Sequence, residues 1–261
     1  MPGLRDCRNE RRVKGPSKGR RDACYDGRAM RALSGKAAIL PDAEASPVYD
    51  PDCRRCVRLA SFLDAVRGEH REYFCRPVPP FGASDARLVI VGLAPGMHGA
   101  NATGRPFTGD YAGVLLYETL HAYGYASRAE STSRDDDLAL IDCRITNAVK
   151  CLPPGNKPAP DEIRTCNRFL VADLATLPAG GAILALGHIA HEAALRALGL
   201  KPAGFAFAHG ARHPLANGVA LFDSYHCSRY NTNTRRLTPE MFRAVFDDVA
   251  VHLARAARAV A

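Results

Sequence analysis

The sequence predicts an α/β fold, a three-layer α/β/α sandwich around a central four-stranded parallel sheet. Four short apolar segments flanked by turn residues are typical of strands buried on both faces. Helical patterns separate these segments, and strands that alternate with helices form βαβ units with a parallel sheet. A chain of 261 residues can bury a substantial core, and one domain with an appendage is its simplest organisation.

The helices are recognised by their apolar faces and their ends. Pro160 opens a helix whose first turn carries two carboxylates, and Gly199 ends the following one. Thr238 is the expected N-cap of the last helix. The predicted strands are residues 88–92, 140–147, 182–186 and 219–225, and the predicted helices are residues 114–123, 160–177, 188–198 and 239–260.

Charge and composition set the N-terminal segment apart. Residues 1–45 are rich in Arg, Lys and Gly and show little apolar periodicity. We interpret them as a basic, disordered arm that touches phosphate, or else as an irrelevant start region, and we take residues 46–261 as the folded domain. The net charge of +8 favours a polyanionic partner, although a solvated basic surface explains it equally well.

The sequence lacks the signals of a membrane or secreted protein. No segment reaches the roughly 18 consecutive apolar residues that a membrane helix needs, and the first residues lack the apolar core of a secretory signal. We therefore expect a cytoplasmic protein with no membrane partner. Separately, we expect a monomer.

Polar and glycine-rich segments follow each predicted strand. Such segments begin at Gly92, Asn147, Gly187 and His226. Ligands of parallel α/β sheets bind outside the carboxyl ends of the strands. We expect these segments to meet at one edge of the sheet, with a backbone that approaches a polyanion, an aromatic ring that stacks and polar groups that act on a bound base.

The cysteines suggest a metal centre. Cys53 and Cys56 form a C-x-x-C pair, and Cys151 and Cys166 form a wider pair across a strand end and the next helix. Four thiolates suit an iron–sulfur cluster or zinc, and the spacing does not separate the two. The alternative is four unrelated buried thiols.

Taken together, these motifs resemble the uracil-DNA glycosylase superfamily, and most closely its iron–sulfur-containing family 5, or type B, enzymes. The resemblance runs from about Asp52 to the C-terminus. Four segments carry it: Gly-Leu-Ala-Pro-Gly at 92–96, Asn-Ala-Thr-Gly-Arg-Pro-Phe-Thr-Gly-Asp at 101–110, Asn-Ala-Val-Lys-Cys-Leu-Pro-Pro-Gly-Asn-Lys-Pro at 147–158 and His-Cys-Ser-Arg-Tyr-Asn-Thr-Asn-Thr at 226–234.

The resemblance implies a function as well as a fold. It implies hydrolysis of the N-glycosidic bond of uracil and other deaminated bases, hypoxanthine among them, in double- or single-stranded damaged DNA. It implies a [4Fe–4S] cluster, with zinc as the lesser alternative, on Cys53, Cys56, Cys151 and Cys166. Related families carry Asp, Glu or Asn where this chain has Ala94, and type B enzymes are thought to use the carboxylate that matches Asp110 instead.

Two residues are expected to act on the glycosidic bond. His226 stabilises the departing base with a hydrogen bond; the alternative is a structural histidine. Asp110 places water or stabilises the sugar; the alternative is a helix N-cap, and both can hold. Where the related families have a proline in the last motif, this chain has Cys227, between His226 and Ser228.

Other residues are expected to bind the substrate. Phe107 stacks on the base, or is an ordinary core aromatic. Asn147 hydrogen-bonds the base edge, or caps the strand end. Gly92 and Ala94 complete the base site. Arg229 and Tyr230 press into the duplex at the gap left by the flipped nucleotide, while Ser228 and the nearby backbone hold phosphates. Phosphate contacts, or plain surface charges, are Lys150, Lys157, Arg235 and Arg236.

Other functions compete with this interpretation. The main alternative is a non-catalytic iron–sulfur nucleic-acid-binding module; an electron-transfer protein and a nucleotide hydrolase are weaker ones. His98, His209 and His213 lie in separate loops without ligand spacing, so we do not predict a zinc site from them. No lysine is clearly placed for a Schiff base, so we expect no abasic-site lyase step.

Overall fold

The computed structural model describes residues 49–260, and the predicted basic arm at residues 1–45 lies outside them. The described strands are β1 (Phe81–Gly82), β2 (Leu88–Gly92), β3 (Cys143–Asn147), β4 (Ala182–Leu186), β5 (Arg212–Pro214) and β6 (Ala220–Ser224). The described helices are α1 (Val57–Glu69), α2 (Ala100–Thr103), α3 (Tyr111–Ala122), α4 (Pro160–Ala175), α5 (His188–Ala197), α6 (Arg229–Asn233) and α7 (Pro239–Val260).

The sheet has the order β1-β3-β2-β4-β6-β5. Its four central strands are parallel and correspond to the four predicted strands. The prediction of a four-stranded sheet is wrong at the edges, where β1 and β5 each add an antiparallel strand. These edge strands are two and three residues long and are not fully buried, so no apolar run marks them.

The three predicted layers follow from alternation along the strands. Val89 and Ile183 point into one apolar cluster, which α1, α4 and α5 complete. Leu88 and Leu184 point into a second cluster, which α3 and α7 complete. Both faces of the central strands are therefore covered by helices, as a parallel sheet requires, and the α/β/α architecture is confirmed.

Several element ends differ from the sequence prediction. The strand predicted from residue 140 begins at Cys143, because Asp142 has a left-handed φ of 51° and Ile141 is exposed. Helix α3 begins at Tyr111, three residues before the predicted start, and α1 was not predicted. Thr238 Oγ1 accepts the Met241 N–H at 3.2 Å, as expected of the N-cap of α7. No helix among residues 49–260 has an apolar stretch long enough to span a bilayer.

Candidate active site

A pocket of about 400 Å³ opens at the carboxyl edge of the sheet. The structure brings together here the four residues expected to act on a base, although they are distant along the chain: Phe107, Asp110, Asn147 and His226 all line it. The remaining lining residues are Leu93, Ala94, Gly96, Ala100, Tyr111, Ala112, Asn156, Ser228 and Arg229.

Asp110 sits where the glycine-rich loop enters α3. Its carboxylate Oδ1 accepts the Gly113 N–H at 2.9 Å, so Asp110 is the N-cap of α3 as well as a pocket residue. Gly99 packs against it so closely that a Cβ there would lie 2.6 Å from Oδ2. Burial raises the pKa of Asp110 and outweighs the backbone N–H groups that lower it. The carboxylate therefore faces the pocket with little solvation.

His226 also lines the pocket, two residues after the end of β6. Its carbonyl accepts the Asn231 side-chain N–H at 2.8 Å, which ties the segment to α6. Its ring lies beside that of Phe107, with centroids 5.9 Å apart. Burial lowers the pKa of His226 to about 4, so the imidazole is neutral at pH 7.

Asn147 ends β3 beside Gly92, its register partner at the end of β2. The amide is buried, and its Oδ1 has no hydrogen-bond partner among the described residues. A Cβ at Gly92 would lie 2.3 Å from that oxygen and 2.8 Å from the Phe107 ring. Gly92 therefore lets the amide and the ring share one wall, and the unpaired oxygen points to a ligand with a donor group.

Phe107 adopts a φ of 55°, a conformation that an aromatic residue rarely takes. Neighbouring contacts hold it there. Arg105 is buried and donates to Asp136 at 2.6 Å and to Thr108 at 2.9 Å. Although burial raises it, hydrogen bonds from Arg105 and from backbone N–H groups lower the pKa of Asp136 to about 2. This ion pair fixes the turn that presents the ring.

The comparisons with known proteins agree with this geometry. Residues 79–250 match the profile of the uracil DNA glycosylase superfamily. The chain is a member of the uracil DNA glycosylase superfamily. It is 48% identical to a type-5 uracil-DNA glycosylase of Thermus thermophilus over 74% of this chain and 90% of that protein. It is 42% identical to one of Pyrobaculum aerophilum, over 74% and 86%, and 40% identical to one of Mycobacterium leprae, over 83% and 96%. The resemblance to the type-5 branch is thus confirmed.

Two of the three residues expected to contact DNA, Ser228 and Arg229, line the pocket of this glycosylase-superfamily member, and Tyr230 does not. Ser228 caps α6, where its Oγ accepts the Asn231 N–H at 3.4 Å. Tyr230 is 70% exposed. Arg229 is exposed too, and its guanidinium carbon lies 5.0 Å from the centroid of the Tyr111 ring. Tyr111 was not among the predicted site residues, because only the fold brings α3 and α6 together.

The four predicted metal ligands of this superfamily member also converge. Cys53 and Cys56 lie just before α1, Cys151 follows β3, and Cys166 lies in α4. All four line one small cavity with apolar walls. The Cys166 Sγ accepts the Lys150 N–H at 3.3 Å, and burial raises the pKa of Cys56 to about 11. Cys75, Cys143 and Cys227 are buried elsewhere.

One expected phosphate contact is wrong. Lys150 is 1% exposed, and its ammonium donates to Asp173 at 2.7 Å and to Thr146. Arg144 binds the other oxygen of the same carboxylate at 3.1 Å. From the sequence alone, a lysine just after a strand is expected to be exposed. The fold instead buries Lys150 between β3 and α4, where it pairs with Asp173. Lys157, Arg235 and Arg236 are exposed, as a phosphate contact requires.

The sequence predicts no zinc site from His98, His209 and His213. In the fold, His213 lies beside another histidine and a carboxylate. His213 Nε2 lies 2.9 Å and His191 Nδ1 lies 2.7 Å from the two oxygens of the buried Asp223. The second nitrogen of His191 lies 3.0 Å from the Phe205 carbonyl oxygen. These are hydrogen-bond distances, and the network fastens the segment before β5 to β6. His98 contacts Tyr73, and His209 stacks on Tyr225.

Proposed function

We propose that this protein is a monofunctional DNA glycosylase that hydrolyses the N-glycosidic bond of uracil in DNA and so initiates base excision repair. One observation carries the proposal: a ring, a desolvated carboxylate, an unpaired amide oxygen and a neutral imidazole line one pocket of about 400 Å³. Membership of the superfamily and 48% identity to a type-5 uracil-DNA glycosylase support it.

His226 stabilises the departing base. Breaking the bond leaves negative charge on the pyrimidine, and a fixed donor in a site shielded from water stabilises that charge most effectively. A neutral imidazole donates one N–H without bringing a full proton to the base. The lowered pKa of His226, which its burial causes, keeps it in that form at neutral pH.

Asp110 acts on the sugar. As the base departs, positive charge develops on the deoxyribose, and a carboxylate held nearby stabilises it and orients the attacking water. The Gly113 N–H fixes Asp110, and its poor solvation strengthens its field. Ala94 also lines the pocket, but its methyl group has no means of activating water.

Base selection is assigned to the wall formed by β2 and β3. Phe107 offers a face for stacking, and the free Oδ1 of Asn147 accepts an N–H from the base edge. Without a base, that buried oxygen stays unpaired, which is unfavourable by about 1–3 kcal/mol. A base that supplies the missing donor recovers this energy, and one that presents a second acceptor does not.

DNA binding and base flipping involve the mouth of the pocket. Extruding a nucleotide takes a few kcal/mol, least at a mispaired base. Ser228 and Arg229 line the pocket, and Tyr230, which follows them, is 70% exposed. Ser228 and the nearby backbone are suited to phosphate, and Arg229 and Tyr230 to the gap that the nucleotide leaves. Damaged DNA, double- or single-stranded, is therefore the proposed partner. The cytoplasmic location and monomeric state expected from the sequence stay predictions.

The four cysteines fit a [4Fe–4S] cluster. Their thiols share an apolar cavity, and burial together with neighbouring thiolates raises the pKa of Cys151, so four ionised ligands there require a compensating cationic centre. Such a cluster would supply a structural link between α1, the end of β3 and α4. Asn147 lies four residues before Cys151 and would be steadied by that link. Iron content and visible absorbance of the purified protein distinguish iron from zinc.

The proposal extends to other deaminated bases, hypoxanthine among them. The small side chain of Ala94 leaves room at the pocket wall where a larger residue would restrict a purine. Stacking on Phe107 does not depend on which base is present.

The experiment is strand cleavage at a single lesion. A labelled duplex with one uracil is incubated with the protein and then treated with alkali, which cuts abasic sites. Cleavage that depends on uracil, on alkali and on His226 is expected. Tight binding without product would instead favour the non-catalytic module, and cleavage without alkali would show a lyase step that the proposal excludes.

A further inference from the structure

Tyr111 and Arg229 form a contact across the mouth of the pocket, which we call the Tyr111–Arg229 clasp. Each is the first residue of a helix, directly after the cap of that helix: Tyr111 follows Asp110, and Arg229 follows Ser228. The clasp therefore joins the segment that carries the carboxylate to the segment that carries His226. Both residues also line the pocket itself.

The geometry is that of a cation over an aromatic face. The Arg229 guanidinium carbon lies 5.0 Å from the centroid of the Tyr111 ring. The Tyr111 hydroxyl donates to Asn233 Oδ1 at 3.5 Å, which orients the ring toward α6. Tyr111 is 42% exposed, so the ring is not there to fill the core. Its contact with the Arg229 guanidinium explains the position of the Tyr111 ring.

The absence of a stronger partner is informative. Within residues 49–260, no carboxylate lies within ion-pair distance of the Arg229 side chain. A carboxylate partner would hold the arginine firmly and would place negative charge at the surface that meets DNA. An aromatic face instead fixes the position of a guanidinium without neutralising its charge, so Arg229 can stay on the Tyr111 ring while it meets DNA.

We propose that Tyr111 is a positioning residue for duplex substrates, the platform on which Arg229 stays stacked at the pocket mouth while it faces the gap left by the extruded nucleotide. This inference rests on the proposed function, and it assigns a role to a residue outside the glycosidic chemistry. A single-stranded substrate has no such gap, because its base need not leave a paired stack. The clasp therefore favours duplex over single-stranded DNA.

The test compares the ratio of kcat/KM on duplex uracil DNA to kcat/KM on the same single strand. Tyr111→Ala is expected to lower this ratio about fivefold, the rate equivalent of about 1 kcal/mol. Tyr111→Phe keeps the ring and is expected to restore the ratio. Val114→Ala, an exposed change one turn further along α3, is the matched control and leaves the ratio unchanged.

A double-mutant cycle shows whether Tyr111 acts through Arg229. The Tyr111→Ala, Arg229→Ala pair should lower the ratio no further than Arg229→Ala alone. Additive losses, or equal losses on duplex and single strand, would overturn the proposal. A binding ratio is measured in parallel: the Kd for a duplex that contains an abasic-site analogue is compared with the Kd for the matching single strand. If the wild-type protein excises uracil from neither DNA, the proposed function fails, and the binding ratio still decides the clasp.

Discussion

Acid sensitivity gives a direct test of the neutral, buried state of His226. The folded protein lowers the pKa of this imidazole from 6.5 to about 4 because of burial. The unfolded chain then binds more protons than the folded protein between these values, so stability is lost as the pH falls through this window. The full effect is about 3 kcal/mol, at about 1.36 kcal/mol per pKa unit, and about 2 kcal/mol is lost by pH 5.

The perturbation is His226→Gln, which cannot titrate. We expect the wild-type free energy of unfolding to fall about 2 kcal/mol more than that of the variant between pH 7.5 and pH 5, as measured by denaturant titration of both proteins. His121→Gln is the matched control, because it makes the same substitution at an imidazole that is exposed on α3. The comparison uses differences between two pH values, so local repacking in the variant cancels.

Kinetics complete this test. Removing one donor to a developing anion lowers rates by about 10²–10³-fold, so His226→Ala should lose that much in single-turnover excision of uracil. Glutamine should recover part of the loss, since its amide also donates. Wild-type excision should show no inflection near pH 6.5. Equal acid sensitivity of wild-type and His226→Gln, or near-normal rates for His226→Ala, would refute the reasoning.

Three further predictions concern the same pocket. Asp110→Asn keeps a capping side chain but loses the charge: excision falls at least about a hundredfold, while Tm at pH 7 rises, because a carboxylate with a raised folded-state pKa lowers stability above that pKa. The Tm gain should vanish at pH values below the ordinary pKa of 3.8; a lower Tm at pH 7 would contradict it. Gly92→Ala puts a methyl group 2.3 Å from Asn147 Oδ1 and should lower uracil excision about a hundredfold with little change in duplex binding, as gel shift and single-turnover assays would show. Ala94→Val should lower hypoxanthine excision about tenfold more than uracil excision; equal losses would mean that this wall does not select bases.

The central sheet could be predicted because burial on both faces leaves a direct sequence signal. Residues 88–92 and 182–186 are continuous apolar runs, and the structure gives them as β2 and β4 with the same bounds. The edge strand β5 was missed because its three residues include an arginine and a proline and alternate in burial. It pairs because β6 offers a free edge, which is a property of the assembled sheet.

The pocket was accessible to sequence reasoning for a related reason. Carboxyl ends of parallel strands meet, so residues following β2, β3 and β6 were expected to converge. The contacts that hold these residues in place could not be predicted from the sequence. The partner of Arg105 is Asp136, 31 residues further on in an irregular segment, and no local pattern links the two. Lys150 was misplaced for the same reason, since its ion pair with Asp173 exists only once α4 packs under the sheet.

The pocket residues share a property that their packing alone would not favour. Phe107 has a left-handed backbone, and Asp110 is a poorly solvated carboxylate. Asn147 keeps an unpaired oxygen, and His226 has a pKa lowered by burial. The first three states are unfavourable for folding at neutral pH, and the fourth becomes so as the pH falls below 6.5. Each is what glycosidic chemistry needs: a presented ring, a strong field, a free acceptor and a neutral donor.

Rigid contacts beneath the pocket make these states tolerable. The Arg105–Asp136 pair fixes the turn before Asp110, and the Lys150–Asp173 pair fixes the segment after Asn147. Both pairs are nearly or fully buried, so breaking either would leave an unpaired charge in the interior, a loss of about 3–5 kcal/mol. Their contribution is less to net stability than to geometry, because a pocket that relaxed would pair the Asn147 oxygen, hydrate Asp110 and let His226 take up a proton in mild acid. Weakening these supports should therefore impair excision before it unfolds the sheet.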